Sequence, residues 1–391
     1  MRGIIDVDAH FEPGEDWLEP YPKLKARLPP LQPALLAVET ICGDLLRDVP
    51  QAERPPLPDL LPPGLLTLFG QEKAGEKERR AEFEGKNQFQ VANAQARLKW
   101  IDEQGIAIQN VICLSGVSHA TFIDDPDLRR ETLAAANTWL ADTCAASDGR
   151  LLPVTCLDYA DIGGAVKELE RMRGRGSRIF LIPAYPVNGV APVHPSWEPL
   201  WSAATDLGMV PMLHTGFEHM RFDPGWANNG QDVTFLRQLG GAHRHVAPMT
   251  LLNAMIYSGL FHRHPKLSVL LAEVGVGWLP FMYRDIDDRI SPTAEFFLGK
   301  WKYPLKPTEY MAQHVRGTPL SGGNDTPLPR IIEDLPEEMI LFSSDFPHFE
   351  GFTDPAAYYK TALADMPVAP KESFFHGAAE AIFARMGDPI L

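Results

Sequence analysis

Asp6, Asp8, His10 and Glu12 alternate along IIDVDAHFE, and the two-residue spacing puts Asp6, Asp8 and His10 on one face of a strand. Near the far end, FSSDFPHFEG gathers Asp345, His348 and Glu350 within a few residues of one another, while His214 closes MVPMLHTG and Glu273 closes LSVLLAE. Carboxylate oxygens and imidazole nitrogens are the ligands that divalent Zn, Mn and Fe accept together. Carboxylates brought together without a cation repel one another, so a metal gives such residues a physical reason to converge. Taken singly, a strand-terminal Asp such as Asp345 reads as a helix cap or turn residue, and a lone His such as His214 as a hydrogen-bonded core residue. Their joint occurrence at strand ends favours a metal site built from Asp8, His10, His214, Glu273 and Asp345, with Asp6 and Glu12 as further candidates.

Those groups need a scaffold that brings strand ends together. Short aliphatic runs at 3–9, 108–115, 151–158, 177–183, 209–216, 267–273 and 339–345 alternate with helical periodicity at 131–147, 165–173, 195–208 and 248–264. That alternation predicts repeated βα units around a parallel sheet. An eighth strand falls near 312–320, where the signal is weak, and eight close a (β/α)8 barrel whose active site lies at the C-terminal strand ends. An open doubly wound sheet would want a Gly-rich phosphate turn after the first strand, and none follows it. Such a barrel needs about 250 residues, so one domain over 1–391 must carry insertions. The Pro-rich stretch 13–86 is the larger, read as a lid or oligomer contact, and 217–246 the smaller. Phe11, Trp17, Phe217 and Trp226 are candidates for an apolar pocket, while the WEPLW stretch at 197–201 reads as helix packing.

The 391-residue chain has 45% hydrophobic residues and a formal charge of -15, from 51 acidic and 36 basic residues. An acidic balance argues against a nucleic-acid backbone as partner. A small-molecule substrate fits better. No stretch approaches the roughly 20 apolar residues of a membrane span, and the opening MRGIIDVDAH lacks a signal h-region, so the expected location is cytoplasmic. Cys42, Cys113, Cys144 and Cys156 lie far apart without CxxC spacing and read as buried free thiols.

IIDVDAHFEP, HPSWEPLWSAATDLGMVPMLHTG, SGLFHRHPKLSVLLAEVGVGWLP and LFSSDFPHFEG together resemble the amidohydrolase superfamily, in particular the amidohydrolase 2 branch that contains aminocarboxymuconate-semialdehyde decarboxylase. The resemblance implies a TIM barrel with one or two divalent ions, Zn, Mn or Fe, at its mouth. It places the family's first-strand HxH on Asp8 and His10, the fifth-strand histidine on His214 and the last-strand aspartate on Asp345. Two positions depart, with Asp8 for one histidine and Glu273 for the sixth-strand histidine. The leading expectation is a metal-dependent hydrolase acting on an ester, amide, thioester or activated carbon–carbon bond. In it Asp345 handles the proton of a bound water, Glu273 holds a second ion or orients substrate, and His348 assists. The alternatives are a nonoxidative decarboxylase of a small carboxylic acid, weakened by the missing sixth-strand histidine, a dinuclear iron or manganese oxygenase, and a catalytically silent metal-binding subunit. Family members commonly form oligomers, which suggests a homodimer or a hetero-oligomer with a related subunit.

Overall fold

Seven strands lie side by side in chain order and all parallel: β1 Ile4–His10, β2 Ile106–Ile112, β3 Leu151–Thr155, β4 Ile179–Leu181, β5 Val210–His214, β6 Val269–Ala272 and β7 Val315–Gly317. The computed structural model describes residues 3–11, 13, 15–61, 93–217, 219–227, 230, 232–320, 327–348, 352 and 354–390. Every residue of β1, β3 and β5 is buried, as a parallel sheet covered on both faces requires. Helices return the chain between strands, and their ends follow local chemistry. The helix Ala94–Gln104 starts where the Asn93 side chain accepts from the Gln95 and Ala96 amides and stops at Gly105, whose φ of 72° admits a left-handed turn. Asp125 caps Pro126–Ala145 in the same way.

The eighth stave differs from expectation. The weak stretch at 312–320 does supply a strand, β7, whereas 339–345 forms a single parallel bridge from Ile340 to Gly317 and then leaves the regular ladder. It still joins the edges of the sheet. The Leu341 amide donates to Gly317 O (3.1 Å), the Asp345 amide to Asp8 O (3.0 Å) and the His10 amide to Phe346 O (2.8 Å). The Ser344 amide bonds the Asp6 carboxylate (3.0 Å) in place of a strand carbonyl, which explains the irregularity. The barrel is therefore closed between its two sequence extremes.

The described parts of the two expected insertions meet each other. Val38, Cys42, Leu46, Val49, Leu60 and Leu61 form a small core with Leu236 from the helix Val233–Ala242. Asp44 accepts from the Met220 amide (2.7 Å) and faces His219 Nδ1 (3.2 Å). Gly240 lets the two backbones touch, since a Cβ there would fall 1.9 Å from Ile41 O. A cavity of about 360 Å³ lies between this unit and the loops that follow β2 to β5, bordered by Thr40, Val117, Leu157, Tyr185 and Phe217. Phe217 is the expected pocket aromatic that lines it. Phe11 and Trp17 are fully buried in packing and Trp226 is exposed. Trp197 stacks on Tyr159 (5.1 Å between centroids), so WEPLW serves packing. All four cysteines are buried thiols, and no helix among the described residues is long and apolar enough to cross a membrane.

Candidate metal centre

β1, β5 and β6 and the 340–346 stave end at the same place, and they bring five of the seven candidate ligands together. One ligand atom from each of Asp8, His10, His214 and Glu273 lies within 4.8 Å of the others, and His10, Glu273, Asp345 and His348 form a second such group. His10 Nε2 is 3.2 Å from Glu273 Oε1, 3.3 Å from Asp345 Oδ1 and 3.6 Å from Asp8 Oδ1. His214 Nε2 is 3.6 Å from both Asp8 Oδ1 and Glu273 Oε2. His348 Nδ1 sits 2.9 Å from Asp345 Oδ1, and its ring stacks on His10 (3.8 Å between centroids). Asp6 does not join the cluster: its carboxylate accepts from Gln109 Nε2 (2.8 Å) and the Ser344 amide. Glu12 lies outside the described residues.

Backbone geometry aims two of these carboxylates. Among the described residues four non-glycine residues have positive φ, and they include Glu273 (55°) and Asp345 (52°). That conformation is uncommon for side chains other than Asn and Asp and is held only where the surroundings demand it. Here it turns the residue after each stave inward instead of letting the side chain alternate outward.

The electrostatics describe a site short of positive charge. Burial pushes Asp8 up, and repulsion from Glu273 adds to this against the pull of His214 and His10. Burial and the Glu273 carboxylate together push Asp345 up to about 8. Burial disfavours a charged His214, yet Glu273 and Asp8 outweigh it and push the ring up to about 9, while the same contact with His214 holds Glu273 well below the usual range despite its burial. Burial also pushes Asp6 up to about 6 against the hydrogen bonds from Gln109 and Ser344. A divalent cation reverses these preferences in the groups that hold it, since it favours ionised carboxylates and neutral imidazoles there.

The donor set fits such an ion. Both Asp8 oxygens and His214 Nε2 are buried and make no hydrogen bond among the described residues. Buried polar atoms are rarely left so unless a ligand meets them. His214 Nδ1 lies 2.7 Å from Thr215 O, which fixes that nitrogen as the donor and leaves Nε2 with its lone pair directed at the cluster. Mixed nitrogen and oxygen ligands suit Mn, Fe or Zn.

Sequence reasoning did not find the support beneath the site. Arg97 donates to His10 O (2.5 Å) and to Gln109 Oε1 (2.7 Å), and Gln109 bonds Asp6 in turn. The signal was present: Ala94, Arg97, Ile101 and Gln104 share the buried stripe of one helix, where a charge is out of place unless it is paired.

The family model described as amidohydrolase matches residues 113–385. The gamma-resorcylate decarboxylase of Rhizobium radiobacter is 26% identical over 290 residues, covering 69% of this chain and 81% of that protein. A crystal structure of an amidohydrolase from Mycobacterium avium subsp. paratuberculosis superposes with a TM-score of 0.65 at 21% identity, over 97% of each chain. The 5-carboxyvanillate decarboxylase of Novosphingobium aromaticivorans, solved with manganese and 4-hydroxy-3-methoxy-5-nitrobenzoic acid, gives 0.62 at 17% identity, over 97% of this chain and 96% of that one. At these identities the structural matches establish the barrel fold.

Proposed function

The chain belongs to the amidohydrolase family, and from that premise we propose that it is a manganese-dependent nonoxidative decarboxylase of a hydroxylated aromatic carboxylic acid. The observation that carries this is the joint presence of a buried Asp8, His10, His214 and Glu273 cluster and a curated relative that decarboxylates gamma-resorcylate, aligned over most of both chains. It also moves the balance away from the hydrolase expected from sequence. In this reading the sixth-strand departure does not weigh against decarboxylation, because Glu273 lies against both His10 and His214 and would itself serve as a ligand.

Asp8, His10, His214 and Glu273 would hold the ion, which when bound supplies Lewis-acid charge to the substrate carboxylate and an adjacent oxygen. The cavity beside Phe217 and Tyr185, two aromatic side chains that offer flat apolar surface, is the space we assign to the ring. Asp345 delivers a proton to the ring carbon that bears the carboxylate. The bond to the carboxylate then breaks, its electron pair returns to the ring, and carbon dioxide leaves. His348, 2.9 Å from Asp345 Oδ1 and partly exposed, returns a proton from solvent.

The test is anaerobic release of carbon dioxide from 2,6-dihydroxybenzoate and 5-carboxyvanillate by manganese-loaded protein, run beside a panel of aryl esters and lactones. Release from either acid is the expected outcome. Ester or lactone hydrolysis with no carbon dioxide from any hydroxybenzoate would return the hydrolase to first place.

A further inference from the structure

Arg97 occupies an unusual position. It is 2% exposed, on a helix far from the cluster in sequence, and its guanidinium is held between the rings of Phe11 and Phe346 at 4.7 Å from each centroid. Phe11 directly follows His10, and Phe346 directly follows Asp345. The cation therefore grips both halves of the candidate metal centre at once. Its hydrogen bonds do the same: one goes to His10 O, and the other runs through Gln109 to the Asp6 carboxylate, whose second oxygen takes the amides of Ser344 (3.0 Å) and Asp8 (3.3 Å). On the outer side Phe346 stacks on Trp100 (3.8 Å), from the same helix as Arg97.

We propose that Arg97 is a positioning residue for the metal centre, a clamp that sets the spacing between the Asp8 and His10 pair on β1 and the Asp345 and His348 pair after the last stave. Through His10 O and the rings of Phe11 and Phe346 it touches the main chain or a neighbouring ring of both pairs. The inference rests on the metal-binding reading above. Two features of the guanidinium matter: a planar fork that reaches two acceptors at fixed angles, and a flat cation that stacks on aromatic faces on both sides. A lysine keeps the charge and loses the fork. Groups that orient ligands in this way typically change metal affinity by about 10–100-fold when removed.

The test compares the native chain with Arg97→Lys and Arg97→Met, using calorimetric titration with Mn²⁺ at a temperature where circular dichroism shows each protein folded. The expected result is a loss of about 10–100-fold in Mn²⁺ affinity for Arg97→Lys, even where its melting temperature stays near native, and a similar or larger loss for Arg97→Met. If Arg97→Met does not fold, Arg97→Lys decides alone, and Gln109→Met, which cuts the relay to Asp6 and leaves Arg97 in place, supplies an independent intermediate loss. Native Mn²⁺ affinity in a folded Arg97→Lys would overturn the clamp while leaving the metal centre standing. A native chain that takes up no Mn²⁺ would overturn both.

Discussion

Asp8→Asn should act in opposite directions on the two forms of the protein. Without metal, Asp8 is a fully buried carboxylate with neither oxygen hydrogen-bonded among the described residues, and its ionised form is disfavoured, first by burial and then by Glu273. A carboxyl raised above its unfolded value weakens the fold at pH values above that value. The neutral amide removes this penalty, on the order of 1 kcal/mol, so the metal-free variant should melt at or above the native temperature. With Mn²⁺ the order reverses. At free Mn²⁺ about 100 times the native dissociation constant, binding stabilises the native protein by about 2.7 kcal/mol, whereas a variant with about 100-fold weaker affinity gains only about 0.4 kcal/mol. Differential scanning calorimetry at pH 7.5, on chelator-treated protein with and without Mn²⁺, reads both effects. A metal-free variant melting several degrees below native would refute the account of the buried charge. An undiminished Mn²⁺ shift would remove Asp8 from the ligand set.

Asp345→Asn, assayed at saturating Mn²⁺, should lose about 100-fold or more in the rate of carbon dioxide release; a native rate would place the proton donor elsewhere. His314, away from the cluster, is buried against Phe261 and pushed down to about 4 by burial. Its folded value lies below the ordinary 6.5, so the unfolded chain binds more protons between the two, and stability should fall by up to about 3 kcal/mol as pH drops from 6.5 to 4. His314→Gln, followed by urea titration across that window, should flatten this slope, and an unaltered slope would assign it to other groups. Gly240→Ala should drive the helix Val233–Ala242 from Ile41 and expose residues 33–61 to limited proteolysis without altering Mn²⁺ affinity; native resistance would show that the two backbones separate at little cost.

Residues at strand ends were legible in the sequence because two periodicities, of two along β1 and of one βα unit along the chain, fix where a side chain must emerge. Asp8, His10 and His214 obey them, whereas Glu273 and Asp345 stand just past their staves and reach the cluster through positive φ. The stretch 339–345 misled because an apolar run reports burial rather than ladder bonding, and here the Asp6 carboxylate replaces a strand carbonyl as the acceptor at Ser344. β7 was faint for the converse reason: it is three residues long, and its central Arg316 reaches out to Glu338 (2.9 Å). Arg97, Gln109 and the Asp44 contact with His219 depend on partners remote in sequence, and no local pattern pairs them.

The bonds that close the barrel also set the order of its making. Asp6 and Ser344 are 338 residues apart in the chain, and synthesis at about 5–20 residues per second takes on the order of tens of seconds to cover that distance. Throughout that interval Asp8 and His10 exist without Asp345 and His348. The four side chains proposed to hold the ion are all made by residue 273, so the pair proposed to handle the proton joins them only when translation is nearly finished.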